Sequence, residues 1–283
     1  MDARFLESLI AVVDLGSIVA AARRQALTPA AVSQRLQVLE AEMRAPLLIR
    51  RANTITPTRL CLDLLPRMRS IVAECRALRQ AAAPDALEGT LRVGAISTLL
   101  TGLVPDALRA LRDNAPAITL QIEPGSSARL YDALLAGRLD AALIVAPPFD
   151  VPDQIALHTL KHEGLCLLLP PDHPTTDLAA VFRDLPLIEY DPTTWGGQLA
   201  DRYLRDHGIR ARRFCTLDGL EAISDLVARG IGAALVPRWH GVGRAHPVPG
   251  DAAYARRLVC AMPRGSDRPA CDAAFLTALG LAP

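Results

Sequence analysis

Apolar positions over the first sixty residues recur at steps of three and four in three short runs. Phe5, Leu9, Val12 and Val13 share one side of a helix, and the Gly at 16 stops it. Ser17 is placed to cap "IVAAARRQA", Leu27 and Thr28 form a tight link, and Thr28 caps a third helix with Pro29 at its first position, where the missing N–H costs nothing. In that helix Val32, Leu36 and Leu39 make one buried stripe. Ala30, Ser33, Gln34 and Gln37 fall outside it, a face that offers hydrogen bonds without negative charge. Two helices joined by a short turn, with small Ala21 and Ala22 at the crossing, have helix-turn-helix spacing. Beyond Met43, "RAPLLIRRANTITPT" predicts two short strands around a basic turn at Arg50, Arg51, Ala52 and Asn53, a wing.

The period then lengthens. From Thr58 to about Ala83, Cys61, Leu64, Met68, Ile71, Cys75, Leu78 and Ala82 alternate in steps of three and four, a heptad seam on a helix otherwise polar at Arg67, Arg69, Glu74, Arg76 and Arg79. Two readings fit: a helix that pairs with a second copy, or a core helix packed on its own domain. Pro66 lies off the seam and predicts a bend near the second turn. "AAAPDALEG" closes the helix, after which strands alternate with helices, as a parallel α/β sheet requires. A first set runs through "TLRVGAI", "ITLQIEPG" and "AALIVAP". A second runs through "EGLCLLLP", "LPLIEY", "RFCTL" and "IGAALVP". The sets predict two lobes, with crossovers near 145–152 and again between 237 and 262.

Charge sharpens the picture at the N-terminal end. Seven arginines face two acids between Gly16 and Leu60, so that segment carries +5 and, in a chain of net +1, the remainder carries −4. A basic head on an acidic body suits a nucleic-acid partner, although Arg is simply the preferred cation of a chain whose only lysine is Lys161. The start carries Asp2, Glu7 and Asp14 and no basic leader before a long apolar run, so a cytoplasmic location without membrane attachment is expected. Six scattered cysteines suggest reduced, mostly buried thiols, with neither a metal site nor a redox pair.

In this order the elements resemble the LysR-type transcriptional regulators over essentially the whole chain. The ordered set is Gly16, Ser17, Ala21, Ala22, Ala31, Val32, Ser33, Leu36, Leu39, Glu40, Leu47, Arg50 and Thr58, with Leu226 to Pro237 and Phe275 matching later motifs. The chain departs from the family pattern at Pro29 and Ala30, where Gln and Pro are usual, at Met43 and Arg44 for Leu-Gly, at Asn53 for a second wing Arg, and at Cys61 for a Gly. The resemblance implies an α/β fold class with three parts. These are a winged helix-turn-helix DNA-binding domain (1–58), a linker and dimerisation helix (59–88), and a two-lobed effector domain of the type 2 periplasmic-binding-protein-like kind (89–283). It implies double-stranded DNA and a small-molecule effector as partners and no cofactor. A dimer through the linker helix and a tetramer through the lobes are further implied, and RNA polymerase is admitted as another partner.

The candidate residues follow. For DNA, Thr28, Pro29, Ala30, Ser33, Gln34 and Arg35 lie on or beside the face that would enter a major groove, while Ser17, Arg50 and Arg51 would hold phosphates. For the effector, hydroxyls at strand-to-helix turns are the candidates: Ser97 and Thr98 after the first strand, Ser126 and Ser127 after the second. Ordinary helix caps would also put Ser and Thr there. In the second lobe, Asp191, Thr193, Thr194 and Trp195 in "EYDPTTWGG", and Asp218, lie near the expected cleft. Two rivals are a solute-binding protein, argued from the body alone, and an α/β enzyme. Against the first stand the winged head and the expectation that no export signal is present. For the second, His158 and His162, four apart with Glu163 beside them, have no third ligand placed by any motif and read as a surface pair, and no nucleophile or glycine-rich phosphate loop is evident.

Overall fold

Asp2 caps α1 (Ala3–Leu15) by accepting from the Arg4 N–H, and Gly16, at φ 63°, ends it in the left-handed region open to a residue without Cβ. This and the following geometry come from a computed structural model that describes residues 2–51, 54–81, 87–171, 173–266 and 268–282. The chain divides into two compact units, one ending near residue 85 and the other taking the remainder but for 136–138.

In the first unit, α2 (Ile18–Arg24) starts on Ser17, whose hydroxyl accepts from Ala20 N–H at 3.3 Å. Next, α3 (Pro29–Met43) starts on Thr28, which accepts from Ala31 N–H at 3.2 Å. Leu6, Leu9 and Val12 of α1 meet Ala21, Ala22, Val32, Leu36 and Leu39 in one buried cluster, as the apolar stripes require. Arg44 ends α3 at φ 51°. Oε1 of Glu40 accepts from the N–H groups of Leu47 (2.8 Å) and Leu48 (3.1 Å), fastening α3 to β1 (Leu48–Arg51). This strand pairs antiparallel with β2 (Thr54–Pro57), Arg51 opposite Thr54. Ala52 and Asn53, the tip of the expected wing, lie outside the described residues.

Thr58 starts α4 (Arg59–Ala81): its hydroxyl accepts from Cys61 N–H and donates to the Pro46 carbonyl, each at 3.1 Å. The helix continues through Pro66. The expected seam splits. Cys61 and Met68, with Val72 in place of a seam residue, are buried against the head, and Arg69 pairs with Asp14 of α1 at 2.5 Å; Ile71 is exposed. Because α1 covers one flank of α4, the inward stripe serves the head's own core. Leu60, Leu62 and Ile71 are left outside it. The side chain of Leu78, and Ala82 altogether, fall outside the described residues.

The second unit begins with β3 (Glu88–Ala95), α5 (Ser97–Gly102), α6 (Val104–Asn114), β4 (Ala117–Pro124), α7 (Ser127–Leu135) and β5 (Ala141–Val145). β3 lies parallel to both β4 and β5. Gly94 on β3 lets α7 close in, since a Cβ there would come within 2.7 Å of the Leu139 and Leu130 side chains. The expected crossover at 145–152 is corrected. Those residues lead only to β6 (Ile155–Glu163), which belongs to the same sheet, and the chain passes to the second lobe at Glu163–Gly164. The strand "IALHTLKHE" is a half-exposed edge paired only with a segment about a hundred residues away, so local pattern marks it poorly.

The second lobe holds β7 (Leu165–Leu168), α8 (Leu178–Asp184), β8 (Leu187–Tyr190), α9 (Gly197–Asp206), β9 (Arg213–Leu217), α10 (Leu220–Ala228), β10 (Ala234–Pro237), β11 (His246–Pro247) and a 3-10 turn at Asp251–Tyr254. β8 and β9 are parallel, β7 lies between β10 and β11, and a Leu187–Ala233 bridge joins the two groups. The return crossing falls within the expected 237–262 interval: β12 (Arg256–Pro263) inserts between β5 and β6, antiparallel to both, and α11 (Pro269–Ala278) follows. The first lobe's sheet therefore reads β4-β3-β5-β12-β6, a parallel half extended by two antiparallel strands.

Candidate DNA-reading head and ligand cleft

At the start of α3, Thr28, Pro29, Ala30 and Gln34 are exposed and Ser33 is half-buried. This is a capped helix end with its polar face open and its apolar stripe spent on the core. Arg35 is engaged elsewhere. Its Nη1 donates to the Ser8 hydroxyl at 3.2 Å, and that hydroxyl, fully buried, also lies 3.0 Å from the Arg4 carbonyl and 2.9 Å from Gln25 Oε1. Arg35 thus braces α3 against α1 and the end of α2. The Ser17 hydroxyl accepts from the Ala20 N–H in the α2 cap, a bond that uses one of its acceptor sites and leaves its proton to donate. Arg50 and Arg51 are the last residues of β1, at the wing turn.

In the second unit α5 and α7 start at the ends of neighbouring parallel strands, where an open α/β sheet binds ligands. Ser97 is exposed, its Oγ 3.5 Å from Glu221 Oε2 on α10 of the other lobe. Thr98 is buried and accepts from Arg256 Nη2 at 3.1 Å. Ser126 is exposed, whereas Ser127 is buried and accepts from Val145 N–H at 3.1 Å, pinning α7 to the end of β5. The four hydroxyls divide into two that brace the fold and two that stay open. In the second lobe Thr194 donates to the Asp191 carbonyl at 2.7 Å and accepts from Gly197 N–H at 3.0 Å, while Asp191 Oδ1 accepts from both the N–H and the hydroxyl of Thr193. Asp218 is exposed in the turn before α10.

Two groupings escape sequence reasoning. Where both connections pass between the lobes, Arg256, 1% exposed, donates from Nε (2.7 Å) and Nη2 (2.6 Å) to Glu163 Oε2, and Lys161 Nζ lies 2.6 Å from Oε1. Glu163 ends β6 and Arg256 opens β12, so the buried pair closes the two crossings on each other. Two arginines opening an apolar run, "RRLVCAMP", are the trace of it in the sequence. The second grouping is aromatic. Tyr131 of α7, Phe149 after β5 and Trp195 before α9 meet edge to face, with centroids 5.6 to 5.9 Å apart. His158 and His162 lie along β6, opposite Cys260 and Arg257. Burial pushes the Cys166 thiol up to about 11 and the Cys260 thiol higher still.

A capped, basic helix-turn-helix head carried with a two-lobed body whose cleft is lined by helix starts defines a ligand-responsive DNA-binding regulator. Residues 3–61 match the family model of the bacterial regulatory helix-turn-helix proteins of the lysR family, and residues 84–281 match the LysR substrate binding domain. The chain belongs to the LysR family of transcriptional regulators. Among curated relatives it is 30% identical over 232 residues to the HTH-type transcriptional regulator TtuA of Agrobacterium vitis, covering 77% of this chain and 74% of that one. It is 31% identical over 243 residues to a probable hydrogen peroxide-inducible genes activator of Mycobacterium leprae, covering 82% and 76%. In fold it is similar to a full-length OxyR point variant from Pseudomonas aeruginosa (TM-score 0.75, 23% identity, 100% of this chain and 95% of that one). It is also similar to full-length CbnR complexed with its target DNA (TM-score 0.64, 21% identity, 99% of each). The protein is a DNA-binding transcriptional regulator with an effector-binding domain, and the homologues are regulators rather than solute-binding proteins. Among the described residues no helix is long and apolar enough to cross a membrane.

Proposed function

We propose that effector binding between the lobes resets the hinge and thereby changes how two heads engage DNA. The observation that carries this reading is the chain Thr98–Arg256–Glu163, which joins a candidate ligand position at the start of α5 to both connections between the lobes. A ligand taken up by Ser97 and Ser126, with Thr194, Trp195 and Asp218 across the cleft, acts beside that chain; Thr98 and Ser127 hold the cleft wall in shape. It favours one lobe arrangement over another, and the heads follow as a shift of population.

The division into head (1–58), linker helix (59–88) and body (89–283) is part of the reading. In the head, Thr28, Pro29, Ala30, Ser33 and Gln34 present the base-reading face; Ser17, Arg50 and Arg51 meet phosphates, and Arg35 positions the helix. Leu60 and Ile71 of α4, exposed on one face three turns apart, support pairing with a second copy. The tetramer, a contact with RNA polymerase, the cytoplasmic location and the absence of catalysis belong to the same reading, by family. Selection from a randomised duplex pool with the full chain tests the DNA part: a partly palindromic site is enriched, as two-fold pairing of heads requires. A pool that stays random overturns it.

A further inference from the structure

The chain has two Trp, four Tyr and five Phe, and three of these rings converge at one place from separate segments. Tyr131 lies one turn beyond Ser127 on the same face of α7, and its ring, buried in the first lobe's core, meets Trp195 of the other lobe edge to face, so this side chain lies where the two lobes touch. Phe149 is 53% exposed and Trp195 is partly exposed, packed against the first lobe's core. The aromatic surface left exposed at this contact belongs to Phe149 and Trp195.

One atom in this cluster is unexplained by packing. The Tyr131 hydroxyl is buried without a hydrogen-bond partner, the single such side-chain atom found among the described residues. Phe would fill the same space without a polar group to satisfy, so the hydroxyl calls for a partner that the folded chain does not supply.

We infer that the interlobe cleft takes a small molecule with a flat aromatic ring and one hydrogen-bond acceptor, the ring lying against Phe149 and Trp195 and the acceptor taking the Tyr131 hydroxyl. The inference rests on the proposed effector cleft and adds the ligand's chemical class. Edge-to-face rings accept a further flat ring better than a puckered one, because the positive edge of one meets the negative face of the next. A buried hydroxyl discriminates strongly against a ligand that cannot pair with it.

A matched series tests this on the full chain: phenylacetate, cyclohexylacetate and acetate carry the same carboxylate and differ only in the ring. Binding is read by Trp fluorescence and by the shift in melting temperature; the other tryptophan, Trp239, is buried in the second lobe. Phenylacetate changes the emission and raises the melting temperature, cyclohexylacetate binds about tenfold more weakly, and acetate does neither. Tyr131→Phe keeps the unliganded melting temperature and weakens phenylacetate about tenfold. Trp195→Leu loses the emission change. If phenylacetate leaves both signals unchanged, if acetate matches it, or if Tyr131→Phe binds it equally well, the inference is overturned. Acetate binding that Ser97→Ala removes would keep the cleft while discarding the ring, and the pool selection reads the DNA-binding part independently.

Discussion

The hydroxyl of Thr98 accepts from Nη2 of Arg256 at 3.1 Å and so ties the first turn of α5 to the strand that returns from the second lobe. Position 98 reads in the sequence equally as a ligand contact or as a helix cap, and here it is a third thing, a partner for a buried cation. Thr98→Val keeps the shape and leaves one guanidinium proton unpaired. It should cost about 1–3 kcal/mol of stability by urea unfolding of the full chain. Unchanged stability would return Thr98 to the list of free ligand contacts.

Removing the cation is harsher. Arg256→Met leaves Glu163 buried, and truncating one member of a buried pair costs about 3–5 kcal/mol, with Lys161 at 2.6 Å softening the loss. The double variant Arg256→Met with Glu163→Leu recovers much of it. A double variant no better than the single one would show that the pair acts through something other than charge compensation.

In the head, Arg50 and Arg51 end β1 at the wing turn. Replacing both by Ala should weaken binding to all duplex sequences alike and reduce the slope of log affinity against log salt by roughly two, if each neutralises one phosphate. Fluorescence anisotropy at several salt concentrations reads both numbers, and an unchanged slope removes the wing from the interface.

The split stripe of α4 separates assembly from folding. Ile71 is exposed and Val72, its neighbour, is buried against the head. Ile71→Asp should abolish the proposed pairing of the full chain in sedimentation at nearly constant helix content, whereas Val72→Asp buries a charge without a partner and unfolds the head. A dimer that survives Ile71→Asp would place the pairing face elsewhere.

Burial holds the Cys166 thiol at about 11 against an ordinary 9.0. In the unfolded chain this thiol ionises first, so its contribution is fully present below pH 9.0 and is lost as pH rises to about 11. The loss is about 2–3 kcal/mol. Stability should therefore fall less steeply over that interval in Cys166→Ala than in the parent, and equal slopes in urea unfolding would refute the assignment.

Local pattern carried much of the fold. The caps at Ser17 and Thr28, the stripe Val32–Leu36–Leu39 and the strands Leu165–Leu168 and Ala141–Val145 are set by neighbours within a few residues, because helical and strand periods are properties of short segments. Gly16 stops α1 for the same reason. The exposed start of α3 was legible in this way, and so was the family.

Tertiary structure alone decided the rest. Which flank of α4 serves the head depended on α1 covering it; β6 became a strand only through β12, about a hundred residues on; and Arg35 was drawn from the exposed face to Ser8. Glu163, Thr98 and Arg256 met because both crossings close at one point, and Tyr131, Phe149 and Trp195 because α7, the segment after β5 and the turn before α9 come together. Long-range contacts of this kind are fixed by topology and by the requirement that a buried polar group find a partner. Neither leaves a periodic trace in the chain.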